Sequence, residues 1–575
     1  LILILLGLWY LPSVYHRVGG DGYEYFAQAR SLLFDQDLEV ANDYEGLGTR
    51  GVTTRGQIVS RVPIGVPLLW IPVIAVTHVG VTIASWLGAS VEANGFSFVY
   101  QSAVTTATYV YAFIGLLLIE GMLRRRFDKI VSLLAVLAMW LATPLHFYMT
   151  ANPSMSHGVS VLVVAVFIWM WLKSRTGEDH RLWLWTGLSG GLVALVRAQD
   201  GVLLALPLVD LVISHRAHRL KDIGHYLFGP ALCGLLQALV WTFVYGTGFV
   251  NVVFTYAMVA KETPHFLEFL FSAHHGLLSW TPIYIGSLLG WILWFRHSPR
   301  MALAFWLAFA AAIILNSSTG DWWASESFGQ RRMIGWIPLF AFGFAEALVF
   351  IRRRPMALAG TVIAVLILWN LQLAYIYNAE LAGRRDQAIH LDRLADAQVD
   401  VMYRRLLRAQ EWLPSNIWIL SYDAIKGVWL FGGDRSLKGR IDFGNEPEDF
   451  YPLVGDGWFD PERDNDTTFR LSRGRRSWIS IPIREPSSFR MILKAQLLLT
   501  SAPVTLRVTV NGEDIGTAEL EEGWNDYSYD VPVQVLRPGF NAITLVYSTT
   551  PRLAIPDFHG RNAVIAADWL QFEPK

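Results

Sequence analysis

The chain has 575 residues, 53% of them hydrophobic and 17% charged. That charge fraction lies well below the roughly 25% of soluble domains, and long apolar runs make the difference, which excludes a soluble globular class and indicates a membrane protein. A net charge of −1 leaves no electrostatic footprint for nucleic acid, and the single cysteine, Cys233, excludes an internal disulfide and a CxxC metal site.

Apolar runs fall at 1–14, 63–88, 96–123, 129–149, 156–173, 182–196, 201–214, 223–249, 277–295, 301–316, 333–351 and 356–378. The first has no small-residue cleavage site after it and reads as the end of a spanning helix rather than a signal peptide. Basic clusters at Arg124–Arg126 with Lys129, at Lys173, Arg175 and Arg181, at Arg216, Arg219 and Lys221, at Arg296 and Arg300, and at Arg352–Arg354 are each two runs apart. All five can therefore face the cytoplasm together. This parity leaves 63–88, with Pro63, Pro67 and Pro72, outside as a re-entrant or interfacial helix. The expectation is about eleven spans, with 15–95 as a first outer loop and everything after 378 outside. The 24 Trp and 21 Tyr suit interfacial aromatic belts.

The runs 182–196 and 201–214 are each only about 14–15 residues, roughly 22 Å of helix against a hydrocarbon core of about 30 Å. Their tip, Arg197-Ala198-Gln199-Asp200, should lie below the outer surface, and charges at that depth are functional candidates. Beyond 378 the composition turns soluble. A helical connector is expected over 379–439, with Leu391, Leu394, Met402 and Leu406 on one face of 384–412. The period then changes to two. Val504, Leu506, Val508 and Val510 alternate with polar residues, Asn511-Gly512 supplies a hairpin turn, and further strands fit 489–499, 515–520, 526–533, 541–548 and 563–573. Residues 440–575 thus read as a jelly-roll-like β-sandwich.

Three outer segments carry candidate chemistry. In the first loop, Asp21 precedes a short helix with Phe26, Ala29 and Leu33 on one face. It serves either as an N-cap with Glu24 as its capping partner or as a carboxylate held for general-base or metal-ligand work. Asp35, Asp37, Glu39, Asp43 and Glu45 read as solvated loop charges. Before the tenth span, Arg331 and Arg332 stand at an outer helix end, against the positive-inside bias. They either anchor headgroups, with Trp322 and Trp323 as belt residues, or grip a phosphate through their forked donors; Glu326 accompanies them. His157 in the 152–157 link, and His275 beyond an outer loop with Lys261, Glu262 and His265, are either structural hydrogen-bonders or site residues. No HExxH, Walker A or GxSxG pattern is present, nor a GxGxxG between a strand and a helix, so zinc, nucleotide and serine-hydrolase chemistry have no support.

On these residues the chain resembles the GT-C superfamily of integral-membrane glycosyltransferases, the group of protein O-mannosyltransferases and lipid A aminoarabinose transferases. The likeness rests on Asp21 with Tyr25 and Ala29-Arg30, on Pro63-Ile64-Gly65, on the short hairpin at Arg197, and on Ser327-Phe328-Gly329-Gln330-Arg331-Arg332. It covers residues 1–378 and implies a polytopic α-helical membrane domain. It also implies a polyprenyl-phosphate sugar donor, an inverting transfer to an extracytoplasmic glycan, lipid or protein acceptor, and a bacterial inner-membrane location. By that resemblance Asp21 is the base and Arg331, Arg332 and Arg197 hold the donor phosphate. Glu24, Tyr25, Arg30, His157, Asp200, His275, Trp322, Trp323 and Glu326 are substrate-binding candidates. Some relatives carry two adjacent acids where Asp21-Gly22 stands here, so a divalent cation at Asp21 is compatible with the sequence but not required by it. The tail, with Gly457-Trp458, Trp478, Trp524 and Asp568-Trp569, resembles galactose-binding-like sandwiches of carbohydrate enzymes. Two other readings stay open: a transporter or flippase of lipid-linked glycans, and a membrane anchor displaying a glycan-binding sandwich.

Overall fold

The computed structural model describes residues 1–47, 52–54, 57–87, 89, 91–177, 179–213, 218–246, 264–351, 356–379, 430–431, 439–444, 457–464, 467–472, 475–498, 503–548 and 563–575. The expected connector helix, the Arg352–Arg354 cluster, Arg216, Lys261 and Glu262 lie outside these residues. The chain divides into two compact units, the first running from Leu1 to Ala374 and the second comprising most of the remainder.

The first unit is helical apart from one short antiparallel pair of strands, β1 (Val52–Thr54) and β2 (Gln57–Val59). Its helices are α1 (Ile2–Tyr10), α2 (Gly22–Arg30), α3 (Ala41–Gly46), α4 (Gly65–Trp86), α5 (Phe98–Leu123), α6 (Lys129–Leu141), α7 (Leu145–Thr150), α8 (His157–Thr176) and α9 (Arg181–Val196). They continue with α10 (Ala205–Ile213), α11 (Arg219–Tyr245), α12 (Phe266–Phe271), α13 (Leu277–Trp280), α14 (Ile283–Leu293), α15 (Pro299–Ser317), α16 (Ile337–Ile351) and α17 (Met356–Ala379). Among the described residues seven segments are long and apolar enough to cross a membrane: α4, α5, α8, α11, α15, Arg331–Ile351 and Ala359–Tyr377. Ile2–Ser13, Lys129–Leu141, Arg181–Val196 and Ile283–Arg296 are shorter apolar helices. The count of about eleven spans is therefore not reproduced as such.

The prolines of 63–88 leave its helix intact. α4 is one uninterrupted helix of 22 residues, roughly 33 Å long. Pro63 precedes it, and Pro67 sits in the first turn, where no intrahelical N–H is needed. Only Pro72 is internal. The short hairpin is also more irregular than expected: α9 ends at Val196, a 3-10 segment takes Ala198–Leu204, and α10 has only nine residues.

Close backbone approach holds several helices together. On α9 and α11, Gly187 and Gly229 face each other so tightly that a Cβ on Gly187 would meet the Tyr226 carbonyl, and one on Gly229 the Gly187 backbone. Small residues allow this contact in an apolar solvent, where dispersion rather than water release drives helix association. α6 starts on a genuine cap, with Asp128 accepting from the Ile130 and Val131 amides.

The second unit is built from two antiparallel sheets. One has the order β10 (Gly523–Val531), β7 (Phe489–Leu497), β12 (Ile565–Pro574), β5 (Thr467–Ser472), β4 (Trp458–Asp464), with β3 (Arg440–Asp442) also paired to β12. The other runs β6 (Arg476–Ile483), β11 (Gly539–Tyr547), β8 (Val504–Val510), β9 (Glu513–Leu520). Alternate residues of both, among them Ile481, Leu493, Leu506, Val508, Leu545 and Leu570, share one buried core, the mark of a sandwich. Asn511 (φ 53°) and Gly512 (φ 91°) form the two-residue turn between β8 and β9, with both residues left-handed as a type I′ hairpin requires. The strands expected beyond 489 are present within a few residues, while β3 to β6 had no individual forecast.

Candidate active site

Asp21 stands just before α2 with helical backbone angles and makes no capping hydrogen bond. The capping-box expectation thus fails, because both carboxylates have stronger partners. Glu24 accepts from the Arg61 amide (2.6 Å) and from Arg61 Nε (2.9 Å), with Nη2 also in contact. Asp21 instead turns to Arg331, whose Nη1 lies 3.3 Å from Oδ2. That pair stays partly wet, with side-chain exposures of 44% for Asp21 and 20% for Arg331.

One turn along α2, on the same face as Asp21, Tyr25 is buried. Its hydroxyl is bonded to Ser156, and burial, then the nearby Asp21 charge, push its pKa up to about 12. Ser156 in turn accepts from Arg197 Nη1 (3.0 Å). The same Nη1 reaches His157 Nδ1 at 2.7 Å, so that nitrogen accepts and the imidazole carries its proton on Nε2. Arg197 pairs with Asp200 at 3.5 Å, and Asp200 Oδ2 accepts from Ser160 at 2.6 Å. Gly335 packs directly on this Asp200–Ser160 contact, so a Cβ there would strike the carboxylate. Gly335 belongs to the same 3-10 segment as Arg331, Arg331–Trp336. Tyr148 completes the cluster: its hydroxyl accepts from the Phe328 amide (3.0 Å) and its ring lies 4.3 Å from that of His157.

The tertiary structure therefore gathers Asp21, Tyr25, His157, Arg197, Asp200 and Arg331. Others are engaged elsewhere. Arg30 pairs with Asp35 (2.5 Å) and Asp43 (2.9 Å), its guanidinium carbon 4.0 Å from the Phe96 ring centroid. This corrects the solvated-loop reading of Asp43, which is fully buried. Burial foremost, then the neighbouring Asp35 and Asp37 charges, raise the Asp43 pKa to about 6 despite the opposing pull of Arg30. Arg332 is held by Asp321 (2.6 Å) and Thr319. His275, Trp322 and Trp323 belong to an aromatic cluster around the loop 319–330. Glu326 is exposed.

Sequence reasoning singled out neither Tyr148, Ser160 and Gly335, nor Arg61, and Gln330 entered only as part of the 327–332 segment. The first three lie inside apolar runs, where one hydroxyl or glycine gives no periodic signal. Among the described residues no group of three His, Cys, Asp or Glu side chains is placed to hold a metal ion. Asp21 meets a guanidinium where a divalent cation would need further oxygen or nitrogen donors, so Asp21 and its described neighbours do not build a cation site.

Comparison with known proteins agrees with the motif resemblance. Residues 91–242 match the family model of dolichyl-phosphate-mannose-protein mannosyltransferases, a GT-C family. That stretch contributes Tyr148, Ser156, His157, Ser160, Arg197 and Asp200. Among solved structures, the chain is similar to ArnT from Cupriavidus metallidurans in the apo state (15% identity, 71% of each chain, TM-score 0.44). It is also similar to ArnT from the same organism bound to undecaprenyl phosphate (16% identity, 71% of each chain, TM-score 0.43). A family 35 carbohydrate-binding module from Clostridium thermocellum is similar over 24% of this chain and 98% of its own (14% identity, TM-score 0.17). No curated protein matches.

Proposed function

We propose that the chain is an integral-membrane glycosyltransferase that moves a sugar from a polyprenyl-phosphate donor to an acceptor hydroxyl with inversion. The domain plan is a catalytic membrane unit over 1–378, a connector over 379–439 and a carbohydrate-binding-like sandwich over 440–575. The active site and sandwich face away from the cytoplasm of a bacterial inner membrane. The observation that carries the reading is the half-wet Asp21–Arg331 pair beside the buried Arg197.

The acceptor oxygen attacks the anomeric carbon, its proton passes to Asp21, and the bond from that carbon to the phosphate oxygen breaks. The electron pair leaves on the phosphate, where Arg331 and Arg197 stabilise the charge as it develops. In the donor-free state Asp21 and Arg331 neutralise each other. A phosphate arriving at Arg331 competes for the guanidinium and releases Asp21 to act as base, so donor binding and base activation are one event. Tyr25, held protonated by its burial, stands one turn from Asp21 beside this exchange.

The test is a panel of polyprenyl-phosphate sugars with purified protein. Asp21→Asn should abolish transfer with the protein still monodisperse, and Arg331→Ala should raise the donor KM. Full transfer by Asp21→Asn removes the base assignment. Lipid scrambling or vesicle uptake without product would replace the enzyme with a transporter.

A further inference from the structure

A second constellation lies on the loop 319–330 and the turn before α13. The Trp322 and Trp323 rings meet edge to face, with centroids 5.7 Å apart at 82°. His274 stacks on Trp323 (5.1 Å, 21°) and stands edge-on to Trp322 (6.0 Å, 77°), while His265 lies 5.8 Å from Trp322. These four rings are all partly exposed, so they line an aromatic corner at the surface rather than part of the core.

The backbone beneath them is fixed from below. Gln330 Nε2 donates to the Trp322 carbonyl (3.0 Å), and His275 Nδ1 donates to the Trp323 carbonyl (3.0 Å). Both donors are 1% exposed. Asp321 is clamped between Arg332 (2.6 Å) and Ser325 (3.1 Å). His275, Ala324 and Ser325 all adopt positive φ, 58°, 67° and 56°. Non-glycine residues are uncommon there, and clusters of them accompany ligand clamps. Tryptophans that only float in a headgroup layer need no such pinning.

An aromatic corner with polar edges suits a pyranose ring. The sugar's C–H face packs on one indole, while its equatorial hydroxyls reach polar groups at the rim. Gln330, which fixes Trp322, is followed directly by Arg331, which holds Asp21. We infer that Trp322, Trp323, His265 and His274 form a saccharide-binding subsite, and that the acceptor is itself a carbohydrate. The label "acceptor" rests on the glycosyltransferase reading; the saccharide site does not.

Saturation-transfer difference NMR on the full chain in nanodiscs tests this, with mannotetraose, cellotetraose and chitotetraose as probes. At least one should receive saturation at its ring C–H protons. Trp322→Ala and Trp323→Ala should each weaken that binding about fivefold, the worth of a lost aromatic contact. Trp323→Phe should restore most of it. Absence of saturation at every probe, or saturation indifferent to both alanine changes (as binding by the sandwich alone would give), overturns the subsite. Binding without glycosyl transfer leaves the subsite standing and sinks the enzyme reading; glycosyl transfer without saccharide binding does the reverse.

Discussion

Two arginine–carboxylate pairs meet in the candidate site, and their burial predicts opposite responses to truncation. In the Arg197–Asp200 pair the side chains are 9% and 1% exposed at 3.5 Å; in the Arg331–Asp21 pair they are 20% and 44% exposed at 3.3 Å. With an effective dielectric constant of about 20, charges at the first separation attract by about 5 kcal/mol, whereas in a water-like medium the second pair gains about 1 kcal/mol. Asp200→Ala leaves a buried guanidinium without its counter-charge, which costs about 3–5 kcal/mol. Arg331→Ala removes a half-wet pair worth about 0–1 kcal/mol. Thermal denaturation of the detergent-purified variants at one fixed scan rate should therefore show a drop of several degrees for Asp200→Ala and almost none for Arg331→Ala. Transfer activity should fall in both. An Arg197→Met, Asp200→Leu double variant should recover most of the lost stability but not the activity, because an apolar pair of similar volume removes the uncompensated charge. Equal thermal shifts for Asp200→Ala and Arg331→Ala would refute the argument, since it derives entirely from the difference in burial.

Gly335→Ala should lower transfer efficiency about tenfold or more, because the new Cβ meets the Asp200 carboxylate that orients Arg197; unchanged kinetics would separate Gly335 from the site. Gly229→Leu should destabilise the membrane unit by about 1–3 kcal/mol or more, by forcing α11 off α9; thermal denaturation reads this, and a neutral result would contradict the backbone contact. Asp43 titrates in the folded chain near 6, above its ordinary 3.8. The folded state therefore binds the proton more tightly. Its stabilising contribution is complete below about pH 4 and is lost as pH rises through about 6. Asp43→Asn should flatten the stability profile in that window, and a profile identical to the parent's would assign the titration to another group.

The short hairpin, the period-two tail and the Asn511-Gly512 turn were legible because each follows from chain-local physics. Run length, side-chain alternation and turn stereochemistry need no knowledge of what packs against them. Asp21 and Arg331 were visible as charges in unusual surroundings. The roles of Glu24, Arg30 and Arg332 were not, since each guanidinium or carboxylate chose among several candidate partners. Arg61 lies 37 residues from Glu24, and Asp43 lies 13 from Arg30. Loop composition does not rank such pairings.

By itself the sequence determined the solvent: apolar runs separated by basic clusters can only be satisfied in a bilayer, with a soluble, strand-rich tail. It also marked which segments carry charge in costly surroundings, because buried or misplaced charge is costly wherever the chain folds. Only the tertiary structure decided which charges meet. Asp21 and Arg331, 310 positions apart in the chain, close to a 3.3 Å contact, and helices that approach as closely as Gly187 and Gly229 set such geometry through packing at many positions, none of which carries a periodic signal of its own.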